Sequence, residues 1–182
     1  MGAQETFLIP TDELTLSDKK AFRAGAIAAG KQYAVENKAI PSLDQCVVRN
    51  AETVADFGMA AGGWVSAALA VVGNPYSLLN ALTPVLGQNR VAVFYAIAIE
   101  AFPIPISQIA FREGVVATTT YAVFDVEQLV TMNQQLGYFS RPVPYGPGKV
   151  LNISGTCRII APVSRIWLGC YIIEPGGPVV SP

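Results

Sequence analysis

The sequence predicts an all-β protein, an antiparallel sandwich with an N-terminal helical arm and one short internal helix. Three observations predict it. Strand-length runs rich in Val, Ile, Thr, Tyr and Phe recur from residue 90 to residue 174, with turn residues between them. These runs do not alternate regularly with helical periods, which argues against a parallel sheet built from crossover helices. Helical spacing is confined to two stretches, 17–36 and 125–137.

Residues 1–16 read as an extended arm, with Pro10, a Thr/Asp/Glu cluster and no sustained period. A helix follows from Lys19 to about Glu36, with Ser17 as its expected N-cap and Asn37 and Pro41 closing it. Ala21, Gly25 and Ala29 recur every fourth residue, a spacing that lets another backbone approach closely. Phe22, Ala26, Ala29 and Tyr33 form a narrow apolar stripe beside them. Two readings stay open: a helix lying on its own domain, or an arm docked on a neighbouring copy. The expected division is an arm with helix over 1–41 and a β-sandwich domain over 42–182.

Residues 45–57 read as one or two strands of mixed polarity. The Ala/Gly-rich middle that follows is either a buried helix over Trp64–Val72 or a pair of buried strands, because short apolar runs cannot be told apart by period. From residue 90 the pattern sharpens. Val91, Val93, Tyr95, Ile97 and Ile99 share one parity and Ala92, Ala96 and Ala98 the other, so the strand is expected to fill a core with one face and leave the other smooth. Pro103 and Pro105 cannot donate to a central ladder, so the chain is expected to turn a corner there. Strands are expected at 107–111, 118–126, 149–160 and 164–174. Between the second and third, Leu129, Met132 and Leu136 share a helical face, with Asp125 as cap and Gly137 as stop. The Pro/Gly-dense segment from Tyr138 to Lys149 reads as a surface loop.

Composition narrows the function. The formal charge is -1, from 12 basic and 13 acidic residues, which creates no field to attract nucleic acid or an anionic membrane. Charged residues make up 14% of the chain, against about 25% in ordinary domains. Fourteen of the 25 lie in residues 1–56, so the remaining 126 residues are poorly supplied with charge. Neighbouring copies of the same chain are the expected cover for such a surface. Phe57 to Asn89 carries no charge, yet Gly62, Gly63, Gly73, Pro75 and Pro84 break it into pieces too short to span a bilayer. The N-terminus lacks the basic start and continuous apolar core of a secretory signal, so none is expected.

The chain contains no histidine, which removes the commonest general base and metal ligand. No Ser-His-Asp or Cys-His arrangement can be built. Asp125 with Glu127, or Glu100 with Glu113, are the carboxylate pairs available for acid–base work, but Asp125 and Glu127 stand near a strand-to-helix junction and read as capping or solvated residues. The "GPGK" at 146–149 lacks the rest of a phosphate-loop motif, and the "NIS" at 152–154 lies in an expected strand. Cys46, Cys157 and Cys170 have no metal-site spacing and are expected as buried free thiols, with one Cys157–Cys170 bridge as the alternative. The chain is therefore expected not to be an enzyme, with no catalytic, cofactor-binding or metal-binding residue.

From Arg90 to Pro175 the order of signals is a Pro-broken strand, a Thr-rich strand, a short helix ending at Gly137, the loop "GYFSRPVPYGPGK" and two long strands closing with "LGCYIIEPGG". That order resembles the jelly-roll proteins that build or decorate virus and bacteriophage heads. The resemblance implies a jelly-roll-like, multimeric sandwich that forms or locks a shell. The expected function is a structural subunit of a self-assembling particle, a virion capsid or decoration protein assembled in the host cytoplasm. Its partners would be copies of itself or a second shell protein, with neither a specific nucleic acid nor a membrane. Phe22, Tyr33, Phe139, Tyr145 and Trp167 are the expected contact residues, because large aromatics dominate interface energetics. The alternative is a carbohydrate or receptor reader using exposed Tyr138, Phe139 and Tyr145.

Overall fold

A computed structural model describes residues 6–59, 69–80, 86–114, 119–162 and 165–176. Among them are nine strands: β1 (Leu8–Pro10), β2 (Cys46–Asn50), β3 (Pro75–Asn80), β4 (Val91–Ile99), β5 (Ile106–Glu113), β6 (Thr119–Asp125), β7 (Leu136–Tyr145), β8 (Leu151–Cys157) and β9 (Ile166–Pro175). Helix α1 spans Leu16–Glu36, and α2 (Thr53–Phe57) and α3 (Glu127–Thr131) are single short turns. One sheet has the order β1-β7-β4-β9-β2 and the other β3-β8-β5-β6. The all-β antiparallel sandwich is therefore present. The helix-or-strand alternative for Trp64–Val72 falls mostly on residues 60–68, outside the described residues, although Leu69 is buried and bridged to Ala161.

The pairings are nested. β5 pairs β6, β4 pairs β7, β3 pairs β8 and β2 pairs β9, all antiparallel, and β4–β9 and β5–β8 contacts complete the two sheets. A long two-stranded ribbon rolled on itself has this connectivity. The corner expected at Pro103 and Pro105 is where the chain leaves β4 in one sheet and enters β5 in the other. Prolines suit that crossing because no ladder partner is asking for their missing N–H.

The core between the sheets is aromatic at its centre. Phe111 lies 5.2 Å from Phe94, 5.5 Å from Phe139 and 6.1 Å from Phe124, ring centre to ring centre, and Phe124 and Phe139 are 4.4 Å apart. Ile97, Ile99, Ile106, Ile109, Ile153, Ile166 and Ile172 surround them. The parity reading of β4 needs correction. Register shifts between Phe94 and Ala96, so Tyr95 is an extra residue and the faces exchange along the strand. Val91 and Val93 lie under α1 with Ile173, while Ala92, Phe94, Ile97 and Ile99 enter the core between the sheets. Neither face of β4 is left bare over this half of the strand.

Helix α1 lies on the outer face of the five-stranded sheet of its own chain, against β4, β7 and β9. Its N-cap is Thr15, not Ser17: Thr15 and Asp18 form a reciprocal capping box, with the Asp18 amide donating to Thr15 Oγ1 at 3.2 Å and the Thr15 amide to Asp18 Oδ2 at 2.9 Å. The buried positions are Ala26, Gly30 and Ala34, a narrow seam of small residues that lets the helix approach the sheet closely. The expected arm is joined to the sandwich in a second way, since β1 pairs antiparallel with β7.

Gly30 sits where helix and sheet touch, and a Cβ there would overlap the side chains of Val93 and Ile173. Gly25, in the expected close-approach stripe, faces open space. The two glycines should therefore respond with opposite signs. Gly25→Ala is expected to raise stability by about 0.5–1 kcal/mol through helix propensity alone. Gly30→Ala is expected to lower it by about 1–2 kcal/mol, overpacking outweighing the same propensity gain. Urea melts of the two variants check both signs.

The segment expected as a surface loop is largely β7, which places Phe139 and Tyr145 in the core. Its prolines are tolerated because β1 reaches only to Phe139; beyond Ser140 that side of β7 has no strand partner among the described residues. The internal helix stops at Thr131, so Met132 and Leu136 are exposed instead of sharing its buried face. Asp125 Oδ1 does accept the Glu127 amide at 2.7 Å, as a cap would. Gly137 serves close packing rather than helix termination, a Cβ there falling 2.9 Å from Leu129 Cδ2. All three cysteines are free and buried.

Candidate assembly surface

The sandwich has two ends, and they differ chemically. At one end lie residues 69–74 leading into β3, the connections β4–β5 and β6–β7, and residues 158–162 after β8, brought together because β4, β6 and β8 finish where β3, β5, β7 and β9 begin. Each of these segments presents a large apolar side chain to solvent: Val71 and Val72, Phe102, Met132, and Ile160 in turn. Phe102 is 62% exposed and Ile160 71%. A single exposed residue of this kind is ordinary, but convergence of four separate segments on one pole is not.

The patch continues onto the outer face of the five-stranded sheet. Leu136, Ala98 and Trp167 stand directly across from one another on β7, β4 and β9. Trp167 is 44% exposed and Leu136 42%. The next stretch of the same face is closed by a ladder of rings: Phe22 on Tyr138 at 5.4 Å, Tyr138 on Tyr95 at 6.2 Å and Tyr95 on Tyr171 at 4.7 Å. The apolar strip thus begins where the ladder of rings stops. The remaining large exposed apolar residues among those described, Phe7, Leu16, Leu43 and Val47, belong to the first 47 residues of the chain.

The five expected contact residues fall into three situations. Trp167 is on the patch. Phe22 and Tyr33 are half-buried on α1 and used within the chain: Phe22 stacks on Tyr138, and the Tyr33 ring lies against Gly146 with its hydroxyl 3.4 Å from that of Tyr121. Burial, helped by the Tyr121 hydroxyl, pushes the Tyr33 phenol well above its ordinary range, so it stays neutral. Phe139 and Tyr145 are 1% exposed and cannot touch a partner. Tyr145 instead donates to the Arg112 carbonyl. Tyr138, also buried, is equally withdrawn from the surface-reader alternative. What sequence reading missed was Phe102, Ile160, Val71, Val72 and Leu136, whose common feature is the end of the fold they occupy.

The other end is polar. Arg49 grips Asp56 with two bonds, Nη1 to Oδ2 at 2.8 Å and Nη2 to Oδ1 at 2.6 Å, and donates Nε to Glu174 at 3.0 Å. Arg90 reaches Glu174 at 3.1 Å and Asp56 at 3.8 Å. Two cations and two carboxylates here satisfy one another and tie β2, α2, β9 and the entry to β4 together. No group of three or more metal-ligating side chains occurs among the described residues, and none of their helices is long and apolar enough to cross a membrane. Against known protein families, curated proteins and solved structures, the chain has no match.

Proposed function

We propose that this protein is a structural subunit of a self-assembling particle, a virion shell or decoration protein that joins copies of itself through the apolar end of the sandwich. The observation that carries this reading is the convergence of Val71, Val72, Phe102, Met132 and Ile160 on one pole, continuous with Leu136 and Trp167. Nested pairing of eight strands in two four-membered sets, with β1 added at one edge, is what a jelly-roll reading would require and supports the same proposal. That architecture also serves lectins and cupins, so fold is the weaker support and surface chemistry the stronger.

The mechanism is summed burial. A ring of copies that turns its poles inward removes the exposed loops from water without any covalent step. Stable contacts of this kind bury about 1,600 Å² in total. Fully burying two large side chains contributes about 4 kcal/mol, which corresponds to roughly a thousandfold in dissociation constant. The shortage of charge beyond residue 56 fits such a subunit, because few ionic groups need be desolvated when copies meet.

Light scattering on purified chain, with negative-stain microscopy, tests the proposal. Defined oligomers or particles are expected at micromolar concentration. The double variant Phe102→Ser, Trp167→Ser should be monomeric, with the melting temperature of wild type diluted to its monomer, since both side chains are exposed in the single chain. A wild-type chain that stays monomeric to millimolar concentration, or a double variant that still assembles, sinks the proposal.

A further inference from the structure

Helix α1 gives one long side to its own sheet and keeps another in water. Along the second side Ala21, Gly25, Ala28 and Gln32 are exposed and Val35 is half-buried. These positions advance by four and three residues in turn, the spacing that lines side chains up as a seam between two helices running together. Asp18, at the outer end, is already held by the Thr15 hydroxyl at 2.6 Å. Beside the seam runs an apolar groove of about 480 Å³, walled by Phe22 and by Pro142 of β7. A glycine inside a helix costs stability, and Gly25 faces open space, so nothing within the chain uses the missing side chain. A second helix lying close would use it.

Charge selects what fits this side. The seam is flanked by Ser17, Ala24 and Lys31 on one edge and by Phe22, Ala29 and Glu36 on the other, so each edge carries a single charge, of opposite sign. Neither charge takes part in an ion pair among the described residues, although Glu36 accepts from the Gln32 amide at 2.8 Å. Lys31 and Glu36 are five residues apart. In a parallel pair of identical helices that spacing brings each Lys31 against Glu36 of the other copy, two ion pairs about one two-fold axis. An antiparallel pair sets like edge against like edge and forms neither.

We propose that this side of α1 is a two-fold contact between copies of the chain, in which two α1 helices pack side by side and parallel with Ala28 facing Ala28 and each groove receiving the edge of the other helix. The contact is separate from the apolar pole and does not rest on it. Its side chains are small and the seam is short, so one such contact is weak, with a dissociation constant of about 1 mM, and gains its effect by repetition in a particle.

Disulfide trapping on the full chain tests the contact, since the three native cysteines are buried. Ala28→Cys, at an exposed position, is expected to give a cross-linked dimer under mild oxidation at millimolar concentration. The link should form in the wild-type background and also in the Phe102→Ser, Trp167→Ser background, where the pole contact is removed. Lys20→Cys, on the same helix but off the seam, should link at least tenfold more slowly. Adding Glu36→Lys to Ala28→Cys is expected to slow linkage about fivefold by turning two attractions into repulsions, and further adding Lys31→Glu to restore it. Failure of Ala28→Cys to link in either background overturns the proposal and leaves this face to a partner other than the chain itself. Equal rates for Lys20→Cys and Ala28→Cys, or a rate indifferent to Glu36→Lys, overturn it as well. A mixture of Ala21→Cys and Gln32→Cys chains that links faster than Ala28→Cys means antiparallel helices and overturns it too. A chain that never assembles at micromolar concentration yet links through Ala28→Cys at millimolar supports this contact while removing the pole reading.

Discussion

Replacing Asp56 by Asn is expected to lower stability by about 3 kcal/mol, the scale for removing one partner of a buried, hydrogen-bonded ion pair. The Asp56 side chain is fully buried and accepts four close bonds or charges: two from Arg49, the Glu52 amide at 2.7 Å, and Arg90 at 3.8 Å. The amide can keep the Glu52 contact but cannot answer a bidentate guanidinium, so Arg49 loses its main counter-ion. The effect depends on pH with a definite sign. Burial pushes the Asp56 carboxyl up, but the Arg49 bonds, the Glu52 amide and the two arginine charges outweigh it and hold the carboxyl below its ordinary 3.8. A depressed folded value means that the unfolded chain takes up the proton first. The stabilisation is therefore complete above the ordinary carboxylate value and fades as pH falls through the lowered one. Urea melts of wild type and variant should differ fully near neutrality and converge in acid. Equal stability at neutral pH, or a gap that widens in acid, would refute the account.

Phe111→Ala is expected to cost about 4 kcal/mol, in the range for emptying a buried aromatic site. Phe111 touches Phe94 and Phe139 on the facing sheet and Phe124 on the neighbouring strand, so its ring is the point at which the two sheets are keyed together. The neighbours are themselves buried and interlocked, which limits how far they can collapse into the space. In a chain of this size that loss lowers the melting temperature by about 8–16 °C. Phe111→Leu, which keeps most of the volume, should cost less than about 1.5 kcal/mol. A loss below about 1.5 kcal/mol for the alanine variant would show that the ring is not central to the inter-sheet core.

Much of the fold was legible along the chain because strand formation is a local matter. The runs around Ile97, Phe124, Ile153 and Ile172 alternate strongly enough to mark strands, and Pro103 and Pro105 mark a crossing because a missing N–H is a property of the residue itself. The free thiols were equally readable from their number and spacing. The candidate site was much less legible. Trp167 was reached through residue type, but Phe139 and Tyr145 were misplaced because a segment dense in proline looks like a loop until a short edge partner such as β1 is known. One bulge at Tyr95 reversed the faces of β4, and no local pattern announces a bulge.

The sequence alone determined that this chain makes an antiparallel β sandwich, that it lacks histidine chemistry, and that its last two thirds carry too few charges for an ordinary surface. Each follows from residue type and short-range period. Only the tertiary structure decided which residues remain in water. Nested strand pairing carries Val72, Phe102, Met132 and Ile160, far apart in sequence, to a single end. The physical reason is that exposure and charge pairing depend on long-range register, which a chain acquires only when its strands have met.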